Sequence, residues 1–163
     1  MKHLSVAVLA LLFLLLSCMQ ERKSPHETIT NGNVSVTYGR PSMKGRNIFG
    51  TLVPYGEVWR AGADEATEIK FSSDGTFGGK PVSAGTYTLF VIPSEKEWNV
   101  ILNSELKQWG AYEYDKFKDK NVVEVSAPVE TMQAPVEMFT VRFTDKQMIM
   151  EWERSRVSLP VTP

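Results

Sequence analysis

The chain has 163 residues, and its 18 basic side chains nearly balance 19 acidic ones, for a net charge of −1. That balance removes the electrostatic case for nucleic acid or an anionic lipid surface as a partner, because each of those attracts a clear excess of positive charge. With one cysteine, Cys18, and two histidines, His3 and His26, the chain has no internal disulfide to form and few side chains for metal or nucleophile chemistry.

At the N-terminus Lys2 and His3 precede an apolar run over residues 4–16, which ends in Ser17 and Cys18. A membrane-crossing helix needs roughly 20 apolar residues, so this run is too short to span and has the length of a signal-peptide core. The segment Leu15-Leu16-Ser17-Cys18 also resembles the lipobox of bacterial lipoproteins. That resemblance implies cleavage before Cys18, lipidation of its sulfur and attachment to a membrane through the acyl chains. Met19 and Gln20 follow without the aspartate that signals inner-membrane retention, so the expected location is the outer membrane, facing the periplasm. Residues 21–27 are charged, contain Pro25 and show no apolar period, which reads as a tether. The expected division is a signal peptide over 1–17, a lipidated tether over 18–30 and one domain over 31–163. With His26 in the tether, that domain is expected to hold neither histidine nor cysteine, which excludes Ser-His-Asp and Cys-His catalysis and zinc or copper bound by those ligands.

From residue 34 the dominant period is two. Residues 34–38 and 67–71 alternate in polarity and end in turn formers, which predicts half-buried strands. Asp74-Gly75 predicts a tight hairpin, since its turn wants positive φ at both central positions. Residues 86–92 are apolar on both faces and belong in mid-sheet, and a polar connection opened by Pro93 leads to a partner strand at 98–102. Further strands are expected at 122–125, 139–143, 148–152 and 157–161, with helical periodicity only near 104–114. The fold class that follows is all-β and mainly antiparallel: a β-sandwich with one glycine-rich irregular block and at most a short helix.

That block, residues 38–67, intersperses Gly39, Gly45, Gly50, Gly56 and Gly62 with charges and aromatics, and a loop-rich stretch of this kind is where binding groups concentrate. Its candidate ligand contacts are Tyr38, Arg40, Arg46, Trp59, Arg60, Asp64 and Glu65, joined by Trp109 from a later loop-like segment. Two readings compete for the charges. Either Arg40, Arg46 and Arg60 pair with Glu57, Asp64 and Glu65 to fix the loops, or some of them meet a ligand. Trp98 and Trp152 read as core, whereas Trp109 is free to offer a face to a sugar. Glycoside hydrolysis needs two carboxylates roughly 5–9.5 Å apart, a separation that sequence does not give. Asp115, Asp119 and Asn121 do not have the spacing of a calcium loop, and no phosphate-binding or dinucleotide fingerprint occurs, so neither a metal nor a cofactor is expected.

The segments Y-G-R-P-S-M-K-G-R-N-I-F-G, V-P-Y-G-E-V-W-R-A-G-A-D-E-A-T, A-G-T-Y-T-L-F-V-I-P and W-G-A-Y-E-Y-D, in this order, resemble the bacterial exported and lipoprotein family known as domain of unknown function 2911. The likeness extends over roughly residues 33–161. It implies no reaction, because the family is defined without one, and it carries asparagine where this chain has Asp64. The expected function is a non-catalytic, lipid-anchored binding module for a small polar or glycan ligand or an envelope protein. The alternatives are a carboxylate-dependent polysaccharide hydrolase and a purely structural envelope protein.

Overall fold

The computed structural model describes residues 21–162. The expected signal peptide and Cys18 lie outside the described residues. Within them the chain is all-β and antiparallel. The strands are β1 (His26–Asn31), β2 (Val34–Gly39), β3 (Thr67–Phe71), β4 (Gly75–Phe77), β5 (Lys80–Val82), β6 (Gly85–Pro93), β7 (Glu97–Asn103), β8 (Asn121–Phe143) and β9 (Gln147–Thr162). They form one hydrogen-bonded sheet in the order β1-β2-β3-β6-β7-β8-β9-β4-β5. Its two layers arise because the first half of β8 pairs with β7 and the second half with β9, so the sheet folds over on itself through that strand.

Alternation sets the inner faces. Val34, Val36 and Tyr38 of β2, Ile69 and Phe71 of β3, and Val100 and Leu102 of β7 are buried against Val141, Met150, Trp152, Val157 and Leu159 from β8 and β9. At the centre the rings of Trp59 and Phe139 lie 4.9 Å apart, Phe49 and Trp98 4.9 Å, and Trp59 and Trp152 5.9 Å. Large aromatic rings at these spacings contribute about 0.5–1.5 kcal/mol per pair beyond the area they bury. Trp98 and Trp152 are therefore core, as their strand positions predict.

Four sequence expectations shift. Residues 26–30, assigned to the tether, instead form most of edge strand β1, which Ile29↔Val36 and its neighbours tie in register to β2. Asp74-Gly75 makes no hairpin: β3 pairs with β2 and β6, the Asp74 carboxylate accepts the Ala84 N–H at 2.7 Å, and the tight turn falls at Gly78-Gly79, both at positive φ, between β4 and β5. The strands expected separately at 122–125 and 139–143 belong to β8, and those at 148–152 and 157–161 to β9; β8 is bent by register shifts on either side of Val136. Residues 104–113 run without a helix, and the short helix α1 (Tyr114–Phe117) comes just after them.

Candidate functional site

The irregular block leaves β2 at Gly39 and returns at β3. A Cβ on Gly39 would stand 2.2 Å from the Ala63 carbonyl oxygen, and one on Gly62 would stand 2.8 Å from the Gly39 carbonyl oxygen. Only glycine at both positions lets the returning loop lie against the end of β2. Glu153, at the β8–β9 irregularity and at φ 54°, turns its carboxylate onto the N–H groups of Ile48 at 3.3 Å and Phe49 at 3.1 Å. A bulge that re-aims a side chain in this way fixes the middle of the block.

Trp59 is held more tightly still. Its backbone exchanges hydrogen bonds with Val91 at 2.7 and 2.9 Å, and its indole Nε1 donates to the Gly62 carbonyl at 3.2 Å. Only 8% of it is exposed, with its ring packed among those of Phe49, Phe139 and Trp152. Tyr38 and Arg40 serve the seam between β2 and β8. The Tyr38 hydroxyl accepts the Val141 N–H at 3.0 Å and donates to Glu27 Oε2 at 3.0 Å. Arg40 donates to the Phe139 carbonyl at 3.3 Å and to Thr140 Oγ1 at 3.0 Å, and pairs with Glu27 at 3.0 Å. A hollow of about 440 Å³ runs along this seam, but the arginines lining it are matched, Arg40 by Glu27 and Arg142 by Glu151.

The N-terminal segment, residues 22–26, is part of the site as a strap bound to the block. Lys23 N–H lies 3.1 Å from both Asp64 carboxylate oxygens, Ser24 N–H donates to Oδ2 at 3.0 Å, and Arg22 Nε donates to Glu65 Oε1 at 2.7 Å. His26 belongs to this arrangement, which corrects the expectation of a domain without histidine: its Nδ1 is 3.1 Å from the Ser24 carbonyl and its Nε2 is 3.0 Å from Glu65 Oε2. Burial raises the Glu65 carboxyl, but its own backbone N–H, Arg22 and His26 outweigh that and hold it below its ordinary range. Behind the strap, the 64–66 backbone zips onto 108–110, with Ala66 N–H on the Gln108 carbonyl at 2.9 Å and Gly110 N–H on the Asp64 carbonyl at 3.1 Å. Trp109, bridged to Glu65 in this zip, is half-buried.

Neighbouring residues of the strap face different cavities. Arg22 lines one of about 290 Å³, with His26, Tyr38, Glu65, Glu68 and Lys107. Lys23 lines a cleft of about 410 Å³, with Lys44, Arg46, Arg60, Asp64 and Trp59. Of the eight candidates read from sequence, this cleft gathers Arg46, Trp59, Arg60 and Asp64. Tyr38 and Glu65 line the smaller cavity, Arg40 serves the seam and Trp109 the zip. Lys23, His26 and Lys107 were missed. They lie about 40 residues from their partners in sequence, and nothing local marks them.

The pairing expected of Arg60 with Asp64 or Glu65 does not form. Both oxygens of Asp64 face strap amides, Glu65 is taken by Arg22, and Arg60 has no ion pair among the described residues. Its Nε is buried without a hydrogen-bond partner. The guanidinium lies beside Gly110, where an added Cβ would stand 3.3 Å from Nη1. Arg46 is oriented by the carbonyls of Met43 at 2.8 Å and Ser42 at 2.7 Å, so its geometry is fixed while its charge stays unmatched. Lys44 at φ 49°, Ala61 at 52° and Asp64 at 64° all hold left-handed backbone in this one region. Such conformations cost about 1–3 kcal/mol each and concentrate at functional sites.

The family model described as protein of unknown function (DUF2911) matches residues 20–161, and the chain belongs to that family. No curated protein and no solved structure matches it.

Proposed function

We propose that this protein is a non-catalytic binding module, and that the cleft beneath the strap receives a small polar ligand. The observation that carries this reading is Arg60. Its guanidinium lines the cleft with no ion pair among the described residues and with Nε unpaired, and a charged donor held in that state is best explained by a partner that arrives from outside. The volume, about 410 Å³, falls in the range of small-molecule pockets. Against hydrolysis, Asp64 is the one carboxylate lining the cleft among the described residues, and both its oxygens accept backbone N–H groups. The lipobox-like segment ending at Cys18 adds the proposal that the module is membrane-anchored and faces the periplasm.

A ligand panel read by thermal shift on the full chain tests the binding module. A stabilising small molecule whose effect is lost in Arg60→Gln is the expected result, and a flat panel of sugars, acids and phosphate esters at millimolar concentration would sink it. The anchor is tested separately by metabolic labelling with a fatty-acid probe, in which Cys18→Ser should lose the label.

A further inference from the structure

We infer that the ligand of the cleft carries an oxyanion, a carboxylate or a phosphate, and that Arg60 receives it. This rests on the binding-module reading and narrows it to one chemical class.

Among the described residues four cations, Lys23, Lys44, Arg46 and Arg60, line the cleft against one carboxylate, Asp64. The carboxylate is spent on the amides of Lys23 and Ser24, and none of the four cations has an acidic partner among the described residues. Arginine and lysine donate hydrogen bonds and accept none, so four of the side chains lining the cleft are pure donors that carry charge, beside the hydroxyls of Ser24 and Ser42. A neutral sugar would meet these groups with hydroxyls alone and leave the four positive charges unanswered. It would also find little ring surface to stack on, since Trp59 is only 8% exposed and Trp152 only 1%. An oxyanion accepts only, and a guanidinium fork matches it with two parallel bonds. Arg46, already oriented by two carbonyls, adds charge on the rim without needing to be ordered when the ligand arrives. Leu52, exposed at the same rim, offers apolar contact to whatever bears the anion.

The contrast with the seam hollow sharpens the assignment. There each lining arginine already has a glutamate, and an incoming anion would have to displace it.

The test is isothermal titration of the full chain with matched pairs: galacturonate against galactose, and glucose 6-phosphate against glucose. The charged member of at least one pair should bind at least about tenfold tighter than its neutral partner, the step expected when one charge-assisted fork is gained. That affinity should fall as salt rises, drop about tenfold in Arg60→Gln and recover only in part in Arg60→Lys, which keeps the charge but loses the fork. Which pair responds separates carboxylate from phosphate. Equal binding of a neutral and a charged partner would overturn the oxyanion and leave the binding module standing, whereas no binding by any of the four would overturn both. Arg46→Gln, on the exposed rim, carries the test if Arg60→Gln does not fold.

Discussion

The Asp64 carboxylate grips the backbone of Lys23, with both oxygens 3.1 Å from its N–H and Oδ2 also 3.0 Å from the N–H of Ser24. The backbone of the strap is thus held by one acidic residue some forty positions away, beside the contacts that the Arg22 and His26 side chains make with Glu65. Asp64 occupies φ 64°, a conformation that aspartate and asparagine tolerate better than most residues, so the backbone accepts either.

Asp64→Asn tests that grip without altering the loop. The amide keeps one acceptor but loses the charge and turns a donor toward the strap, and bonds to a charged acceptor are worth roughly 1.5–3 kcal/mol against about 1 for neutral ones. Amide hydrogen exchange at Lys23 and Ser24 should accelerate, while global stability falls by about 1 kcal/mol. Unchanged protection of those two amides would show that the strap is held by something else.

Arg60→Ala should be nearly silent in stability. The earlier expectation of a buried Arg60–Asp64 or Arg60–Glu65 pair would require a loss of about 3–5 kcal/mol, because a carboxylate would be left alone. Both carboxylates have other partners, so denaturant unfolding of Arg60→Ala should match the parent within about 0.5 kcal/mol, the range of surface substitutions. A loss above about 2 kcal/mol would place Arg60 back in a structural network.

What the sequence made legible was what local period encodes. Residues 67–71 alternate and form β3, and residues 86–92 and 98–102 pair as the hairpin of β6 and β7. Long-range closure left no local mark. Pro128 and Pro135 fall between the strands read from sequence, yet both lie within β8, Pro128 opposite Glu97 of β7 and Pro135 in the irregular stretch between Thr131 and Val136. In the candidate site, glycine and charge singled out a block of which Arg46, Trp59, Arg60 and Asp64 share one cleft. Which arginine is free was not readable, because it depends on Arg22 and the strap amides claiming the two carboxylates first.

Acid should weaken the β8–β9 ladder through Glu151. Hydrogen bonds from Arg142, at 3.0 and 3.2 Å, and from Arg156 hold its carboxyl below the ordinary value of 4.5, against the opposing effect of burial. A depressed native value means that its contribution is present above pH 4.5 and is lost as pH falls through that lower value. Urea unfolding at neutral pH should find Glu151→Gln clearly less stable than the parent, with the gap closing toward pH 3. A gap that stays constant with pH would show that the ion pairs contribute nothing through charge.

Tyr38 gives the complementary prediction at the alkaline end. Burial pushes its hydroxyl up to about 12, with the Val141 backbone and Arg40 opposing. A raised native value means that its stabilisation is intact below pH 10, the ordinary tyrosine value, and is lost as pH climbs from there toward about 12. Ultraviolet difference titration should therefore show one phenol ionising late, and Tyr38→Phe should remove that late step. The same substitution strips the buried Val141 N–H of its acceptor, for a cost of about 1–3 kcal/mol in denaturant unfolding at pH 7. A phenylalanine variant as stable as the parent, with the late step still present, would mean that the hydroxyl does not bridge β2 to β8.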